Sequence, residues 1–224
     1  MTGRDAMLGR IRTALGRGPL SAEQAAGVDA RLKSHSRNLV PARAQIPQAE
    51  RVALFEQLLL KAGATVDHAS GSEDVPAAIA RFLAGHNLPK AVTLAPDARL
   101  TGLPWEKEPL LTTRAGTADP ADLTSVTPVF AGIAETGTLM LVSGAGTPST
   151  LNLLPDNHIA VVRMSEIVGS MEDGWDALRA TYGDGEMPRT AIFVTGPSRT
   201  ADIELTMIFG AHGPRRLHVV LVAD

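Results

Sequence analysis

Residues 64–95 read ATVDHASGSEDVPAAIARFLAGHNLPKAVTLA, and this stretch decides the fold class. Residues 64–68 and 90–95 are short apolar runs of the kind that form strands. Between them, Ser72 can cap a helix whose apolar positions recur at helical spacing and whose first turn holds acidic residues, which the helix dipole favours. This strand–helix–strand order predicts a mostly parallel sheet with helices on its faces.

The same alternation extends in both directions from this stretch. A helix is predicted before it, over residues 52–62. After it come strand-like runs at residues 129–134, 138–143, 158–163, 190–195 and 216–222, and helical patterns at residues 148–154, 165–181 and 200–209. Only three residues separate the first two runs, which is too few for a crossover helix, so we expect them to pair antiparallel in a mixed sheet.

Residues 1–47 differ from the rest of the chain. Met7, Leu8, Ile11 and Leu15 recur at helical spacing and predict an amphipathic helix. The following residues have little periodicity. We therefore expect a helix and an extended or partly helical arm over residues 1–47. The arm would act as a linker, or would pack on the body or on a second subunit in a homo-oligomer. A single α/β domain would follow over residues 48–224.

The composition excludes several classes of function. The 224 residues are 44% apolar and 20% charged, with a net charge of −3, so nothing favours binding to nucleic acid or to an anionic membrane. Without cysteine, the chain alone cannot form a disulfide or hold a cysteine-ligated iron–sulfur cluster. No apolar run is long enough to span a bilayer and the start lacks a signal-peptide core, so we expect a cytoplasmic protein without membrane insertion.

The tight turn between the two antiparallel runs is the first candidate site. Glu135 lies there, followed by Thr136, Gly137 and Thr138. A carboxylate held on rigid backbone at a sheet edge suits a general base, a nucleophile or a group that binds a hydroxyl. The alternative is a solvated turn residue, because Glu and Thr are ordinary in exposed connections.

A glycine-containing loop follows the second of these runs. Ser143 and Gly144 stand between that run and a predicted short helix, where backbone N–H groups can approach an anion. The loop lacks the Lys of a Walker motif and the full dinucleotide fingerprint. The alternative is an ordinary turn.

The segment TGPSRTADIE, residues 195–204, carries more of the groups that an anion requires. It contributes Gly196, Ser198, Arg199 and Thr200 at the start of a predicted helix. Backbone donors, two hydroxyls and a guanidinium would thus converge on the positive end of that helix. The alternative is that Ser198 or Thr200 only caps the helix.

Three further residues complete the candidate set. Asp202 and Glu204 fall on different faces of the predicted helix, so they are not expected to form an acid–base pair, although carboxylates on so apolar a helix need partners. The alternative is that both only interact with the helix dipole. His212 lies in a loop before Gly-Pro, where a structural role is the alternative to ligand binding. The six histidines show no metal-binding spacing, so no metal site is expected.

Several of these motifs, in the same order, resemble the lactate-utilisation (LUD) domain family, and within it the members called lactate utilisation protein C. They are residues 132–138 (GIAETGT), 153–155 (LLP) with His158, 195–204 and 210–214 (GAHGP). The resemblance is strong over residues 126–222 and weaker over residues 48–97. It implies a mixed α/β fold related to ribose phosphate isomerases, sugar-phosphate deaminases and acyl-CoA transferases. It also implies a part in the bacterial oxidation of L-lactate to pyruvate beside two iron–sulfur proteins.

Together these observations predict a small anionic metabolite bound between the Glu135 turn and the segment that begins at Ser198, in one common cavity. Glu135 and Glu204 are the candidate catalytic residues. The candidate ligand-binding residues are Thr136, Gly137, Thr138, Ser143, Gly144, Gly196, Ser198, Arg199, Thr200, Asp202 and His212. No cofactor is expected within this chain, and iron–sulfur clusters are expected only in partner proteins.

Two other functions fit the same sequence. One is a stand-alone isomerase or transferase acting on a phosphorylated or CoA-linked small molecule. The other is a non-catalytic scaffold that orders iron–sulfur partners and uses the N-terminal arm for docking.

Overall fold

The computed structural model describes residues 3–16, 18–183, 185–203 and 206–224. The chain divides into two compact units, Met1–Leu39 and Val40–Asp224. The first contains helices α1 (Gly3–Ala14) and α2 (Ala22–Ser34). The second holds the helices and sheets described below.

The N-terminal unit is helical both where the sequence predicts a helix and within the predicted arm. α2 begins with a capping box, in which Ser21 Oγ accepts the Gln24 N–H at 3.2 Å and Gln24 Oε1 accepts the Ser21 N–H at 3.0 Å. No described side chain of either helix is buried. The apolar side chains of Met7 and Ile11 on α1 are exposed.

The second unit alternates strands and helices along the chain. Its strands are β1 (Thr65–Ala69), β2 (Ala91–Leu94), β3 (Thr112–Ala115), β4 (Thr124–Pro128), β5 (Ala131–Ile133), β6 (Thr138–Val142), β7 (Asn157–Arg163), β8 (Ile167–Val168), β9 (Ala191–Val194), β10 (Arg199–Ile203), β11 (Thr206–Phe209) and β12 (Arg216–Val222). Its helices are α3 (Gln48–Lys61), α4 (Val75–Gly85), α5 (Ala98–Thr101), α6 (Thr150–Leu153) and α7 (Met171–Tyr182).

Six strands form a parallel sheet in the order β1-β12-β7-β4-β2-β3. Residues 64–95 form β1, α4 and β2, in the predicted order. α4 packs on one face of this sheet through Val75, Ile79, Phe82 and Leu83, which join strand residues such as Val126 in one core. The predicted α/β class, with a mostly parallel sheet flanked by helices, is confirmed.

The other face of the parallel sheet is covered by α3 and by a second sheet. The second sheet has the order β8-β5-β6-β9, so β9 is one of its two edge strands. Its Leu139 and Leu141 share a core with Phe55 of α3 and with Ala160 and Val162 of β7. α7 closes the far side of the second sheet. The candidate residues of the sequence analysis are concentrated around this second sheet.

The antiparallel pairing predicted around Glu135 is confirmed, since β5 and β6 pair antiparallel from Ala131↔Met140 to Ile133↔Thr138. The pair belongs to the second sheet and not to the parallel one. The second sheet is mixed, because β8 pairs with β5 in parallel and β9 pairs with β6 antiparallel.

The prediction of a helix over residues 200–209 is wrong. This part of the chain is an antiparallel hairpin of β10 and β11, paired at Arg199↔Phe209 and Thr200↔Ile208. Apolar residues stand at every odd position from 201 to 209 and Thr, Asp, Glu and Thr at the even positions 200–206, which is the two-residue period of a strand. The argument from a helix dipole at Ser198 therefore fails.

Two other predicted helix boundaries also need correction. Ser72 does not cap α4, because residues 72–74 form a 3₁₀ turn and the helix begins at Val75 after Asp74. The helical pattern over residues 165–181 is helical only from Met171, after a 3₁₀ turn (Met164–Glu166) and strand β8. Ser170 caps α7 by accepting the Asp173 N–H.

Candidate functional site

A cavity of about 210 Å³ lies beside the edge strand β9, at the amino ends of β7 and β12. Strand β9, residues 195–198, the loop of residues 212–214 and the end of α6 form its walls. Three predicted ligand-binding residues, Gly196, Ser198 and His212, line it together. Most of the remaining lining is apolar, as is usual for small-molecule sites.

Ser198 ties the two loops of this wall together. Its N–H donates to Pro214 O at 2.9 Å, and its carbonyl accepts the Gly210 N–H at 3.0 Å. Its Oγ accepts the His212 N–H at 3.3 Å. Since this backbone N–H is already used, Ser198 offers a ligand only its hydroxyl.

Arg199 and Gly196 lie against the carboxyl end of α3. The guanidinium of Arg199 donates to Ala62 O at 2.6 Å, and Arg199 does not line the cavity. Gly196 has φ +83°, and a Cβ there would come within 2.6 Å of the same carbonyl oxygen. Both residues therefore fix the cavity wall to α3.

Two buried polar residues of the cavity lining were not in the predicted site. Asn152 is 4% exposed, and its Oδ1 has no hydrogen-bond partner. His158 is fully buried, with Nε2 2.7 Å from Thr127 Oγ1 and with Nδ1 unpartnered. Burial lowers the pKa of His158 to about 4, so its imidazole is neutral near pH 7. A polar Asn within the apolar run of residues 151–154 was the available sequence signal.

Glu135 is 9% exposed and anchors α7. Its Oε1 accepts the Met171 N–H at 2.7 Å, at the first residue of that helix, and its own N–H donates to Gly169 O at 3.0 Å. Glu135 does not line the cavity beside β9. The expected common cavity between Glu135 and Ser198 is therefore not formed by the described residues.

A chain of hydroxyls nevertheless connects the Glu135 turn with the cavity. Thr136 Oγ1 lies 2.7 Å from Thr138 Oγ1, which lies 2.7 Å from Thr195 Oγ1. Thr195 lines the cavity and is exposed. Gly137 does not line the cavity. It has φ +63° and packs against Leu58 of α3.

Ser143 and Gly144 lie away from this cavity. Ser143 exchanges two 2.9 Å hydrogen bonds with Thr190, and Gly144 forms an isolated bridge with Thr147. The same loop continues to Gly146, next to Asp97. The loop thus extends towards the carboxyl end of β2.

The remaining candidates belong to the hairpin. Thr200 is half-buried and pairs with Ile208. Asp202 lies within β10. Glu204 lies outside the described residues, so its predicted catalytic role stays a prediction.

Parallel α/β sheets usually bind ligands beyond the carboxyl ends of their strands. Here that edge has a cavity of only about 20 Å³, room for about one water molecule. Arg99 lies there and pairs with Asp97 at 3.0 Å. Burial alone would raise the pKa of Asp97, but the hydrogen bonds and charge of Arg99 outweigh it and lower this pKa.

A larger cavity, of about 360 Å³, lies at the amino ends of β2 and β4, where Arg114 bonds Thr93 and pairs with Asp122. Its two charged side chains, Arg114 and Asp122, are therefore paired with each other. Among the cavities of the described residues, the one beside β9 combines predicted ligand-binding residues with buried polar atoms that lack a partner. We take it as the candidate site.

Comparison with known proteins identifies the family. The model of the LUD domain matches residues 123–222, which include both β9 and the cavity loops. Lactate utilization protein C of Deinococcus radiodurans is 34% identical over 186 residues, 81% of this chain and 84% of that protein. The chain belongs to the LUD domain family.

Two further comparisons support this LUD assignment. Lactate utilization protein C of Bacillus subtilis is 38% identical over 93 residues, 41% of this chain and 39% of that protein. The crystal structure of a DUF162 family protein from Deinococcus radiodurans has a TM-score of 0.59 and 27% identity, covering 79% of this chain and 99% of that one.

The described part of this LUD protein shows neither a membrane span nor a metal cluster. No helix within it combines the length and apolar character needed to cross a bilayer. No group of three or more His, Asp or Glu side chains in the described ranges could hold a metal ion.

Proposed function

We propose that this chain is a cytoplasmic component of a bacterial system that oxidises L-lactate to pyruvate, and that it binds a small organic acid in the cavity beside β9. The observation that carries the role is its 34% identity, over most of its length, to a protein named Lactate utilization protein C. The observation that supports the site is that the family motifs at residues 195–204 and 210–214 contribute its walls.

Electron transfer in this proposal needs partner proteins. Oxidation of lactate to pyruvate releases two electrons and two protons. The chain has no cysteine to hold an iron–sulfur cluster. We therefore assign the electron acceptors to iron–sulfur partner proteins, as the family resemblance implies.

The cavity lining favours a small organic acid over a phosphorylated substrate. Its polar side chains are Asn152, His158, Thr195, Ser198 and His212, and no Lys or Arg is among its described lining residues. A phosphoryl group is usually bound by Arg or Lys. A single carboxylate can instead lie at the exposed mouth, near Thr195 and His212, where water still solvates it.

Growth of a deletion strain tests this proposed role. A strain without this gene should grow on glucose but not on L-lactate as the carbon source, and the wild-type gene should restore growth. Normal growth of the deletion strain on L-lactate would contradict the role. Turnover of a sugar phosphate or an acyl-CoA by the purified chain would favour the isomerase or transferase function.

A pair of neighbouring substitutions tests the site. Leu153 lines the cavity and is 43% exposed, whereas Leu154 is 64% exposed and does not line it. Leu153→Trp should fill the cavity and abolish complementation on L-lactate. Leu154→Trp, the matched control, should complement normally. Equal complementation by both variants, at equal protein levels, would contradict the site and leave the lactate role standing.

A further inference from the structure

Two buried residues that line the cavity beside β9 each hold a hydrogen-bonding atom that the fold does not use. Asn152 Oδ1 and His158 Nδ1 have no partner, although both residues are buried and line the same cavity. An unpartnered buried polar atom costs about 1–3 kcal/mol. Side chains that persist in such positions usually have a ligand or a water molecule as partner.

Nearby Asn157 shows how the same fold treats an asparagine that is only structural. It is also buried, but its Nδ2 donates to Leu123 O at 2.8 Å and its Oδ1 accepts from Arg216 Nη1 at 3.2 Å. The unpartnered oxygen of Asn152 therefore points to a role in binding.

The chemistry of the two atoms restricts the bound group. An amide oxygen can only accept, so the ligand must donate a hydrogen to Asn152 Oδ1. When the Thr127 hydroxyl donates to His158 Nε2, the neutral imidazole carries its proton on Nδ1 and donates to the ligand. A hydroxyl group meets both requirements at once, because it has one donor and two acceptor sites.

We infer that Asn152 and His158 together recognise the hydroxyl group of a small 2-hydroxy acid and discriminate against the corresponding 2-oxo acid. This inference rests on the proposed function, and it assigns to the site the reduced form of the lactate–pyruvate pair. A keto oxygen can accept from His158 but cannot donate to Asn152, which would stay unpartnered. The site would thus hold substrate and release product.

Titration of the full chain with three probes tests this inference. L-Lactate, pyruvate and propionate share a three-carbon carboxylate and differ only at the second carbon. Calorimetry or amide NMR shifts should show L-lactate binding about tenfold more tightly than either of the others, or better, because a site built to bond a hydroxyl rejects analogues that leave it unpaired. Equal affinities, or no binding of L-lactate, would overturn the inference.

Substitution of Asn152 should remove the discrimination. In Asn152→Leu the affinity for L-lactate should fall about tenfold, while pyruvate loses much less. The variant should be at least as resistant to urea as the wild type, because a buried unpartnered oxygen is removed. Asn157→Leu, the matched control, should be destabilised, since it leaves Arg216 and Leu123 O without this partner.

A second pair of variants keeps the test independent of Asn152. His158→Phe should lose the preference for L-lactate over pyruvate. His218→Phe should keep it, because His218 is another buried histidine with an unpartnered nitrogen, Nε2, but does not line the cavity. An unchanged preference in both Asn152→Leu and His158→Phe would mean that water alone occupies these atoms, and the inference would be wrong. Failure of growth on L-lactate in the deletion strain would still support the proposed role.

Discussion

His158 and His218 lie on adjacent parallel strands and point to opposite faces of the sheet. His158 faces the core that contains Ala160 and Val162, whereas His218 stacks on Phe82 of α4 with ring centroids 4.2 Å apart. Burial lowers the pKa of both to about 4, and for His218 the nearby Asp67 opposes this shift without overcoming it. Both side chains are thus neutral in the folded protein near pH 7.

This burial predicts a specific pH dependence of stability. The unfolded chain protonates these histidines near pH 6.5, whereas the folded chain does so only near pH 4. The free energy of unfolding should therefore be unaffected by these groups above about pH 6.5 and should fall as the pH drops from 6.5 towards 4, by up to about 3 kcal/mol for each histidine. Urea unfolding at several pH values between 6.5 and 4 measures this fall in the free energy of unfolding.

His158→Phe and His218→Phe are the controls for this pH effect. Each variant should lose about half of the dependence between pH 6.5 and pH 4, and the double variant should lose most of it. A wild-type unfolding free energy that stays constant across this window would contradict the assignment of two neutral buried histidines.

The sequence predicts side chains at the cavity rim better than those at its buried end. Gly196, Ser198 and His212 stand in two loops rich in Gly and Pro, which local patterns identify. Asn152 and His158 are six residues apart, on the consecutive elements α6 and β7. Whether the Asn152 amide oxygen finds a partner depends on how α6 packs against β4 and β7, which no local pattern contains.

At the scale of the element, Glu135 determines how helix α7 begins. Its carboxylate accepts the Met171 N–H at the amino end of the helix, where the dipole also favours negative charge. Glu135→Ala should lower the free energy of unfolding by about 1–2 kcal/mol, and Glu135→Gln by about 0.5 kcal/mol, because an acceptor remains. Urea unfolding and hydrogen exchange at the Met171 amide measure both.

The glutamine variant also separates this structural role from catalysis. If Glu135 acts through α7, Glu135→Gln should support growth on L-lactate as the wild type does. Loss of growth in a stably folded Glu135→Gln protein would instead support the catalytic prediction.

The turn that follows Glu135 packs against helix α3 at Gly137. This residue has φ +63°, and a Cβ would lie 2.6 Å from Leu58 Cβ and 2.9 Å from the Leu58 carbonyl carbon. Gly137→Ala should cost about 3 kcal/mol or more, from backbone strain and overpacking together. Gly63→Ala is the control, because φ there is +89° and a Cβ would meet no atom closer than 3.8 Å, and it should cost only about 1–2 kcal/mol.

The urea midpoints of the two alanine variants separate the cost of overpacking against α3 from the cost of backbone strain alone. Equal losses would mean that the approach of the turn to α3 contributes nothing. A much larger loss at Gly137 would show that this contact positions the second sheet on α3.

How well a single helix or strand can be predicted depends on how clear the period of its apolar residues is. Strand β12 was predicted with the bounds that it has, because seven residues from a basic entrance form one buried run. The sequence pattern predicts a helix where β10 and β11 form a hairpin, because Ile203, Leu205, Met207, Ile208 and Phe209 would make a helix apolar nearly all round.

At the scale of the whole molecule, alternation of strands and helices was enough to predict a parallel sheet, but not its strand order. β1 is an edge strand paired with β12, the last strand of the chain. Such pairings join residues more than a hundred positions apart, so a sequence pattern cannot specify them. The second sheet was likewise predicted only as an antiparallel pair.

The boundary of the α/β unit leads to a test by truncation. The three apolar cores of the described residues begin at Val52, so a chain of Val40–Asp224 should fold by itself. A chain starting at Gln48 should be less stable, because it removes Ala44, which is buried and whose carbonyl oxygen packs on Gly169. The predicted domain boundary after residue 47 is tested at the same time.

Thermal unfolding measures the difference in stability between the two truncated chains. The chain from Val40 should melt within about 2–4 °C of the full protein, a change of less than about 1 kcal/mol for this size. A chain from Gln48 that is equally stable would contradict the role of Ala44. If the exposed apolar residues of α1 dock iron–sulfur partners, co-purification should be lost in the chain from Val40 while its fold is kept.

The row of Thr136, Thr138 and Thr195 couples the Glu135 turn to the cavity beside β9 through hydrogen bonds. Each hydroxyl has a single proton, so when Thr195 donates to a bound molecule, Thr138 must donate to Thr195 and Thr136 must donate to Thr138. A molecule that accepts from Thr195 would therefore commit the proton of Thr136 to this row, whereas a molecule that donates to Thr195 would not. The orientation of the Thr136 hydroxyl, in the turn beside α7, would thus depend on whether the molecule in the cavity accepts or donates a hydrogen bond.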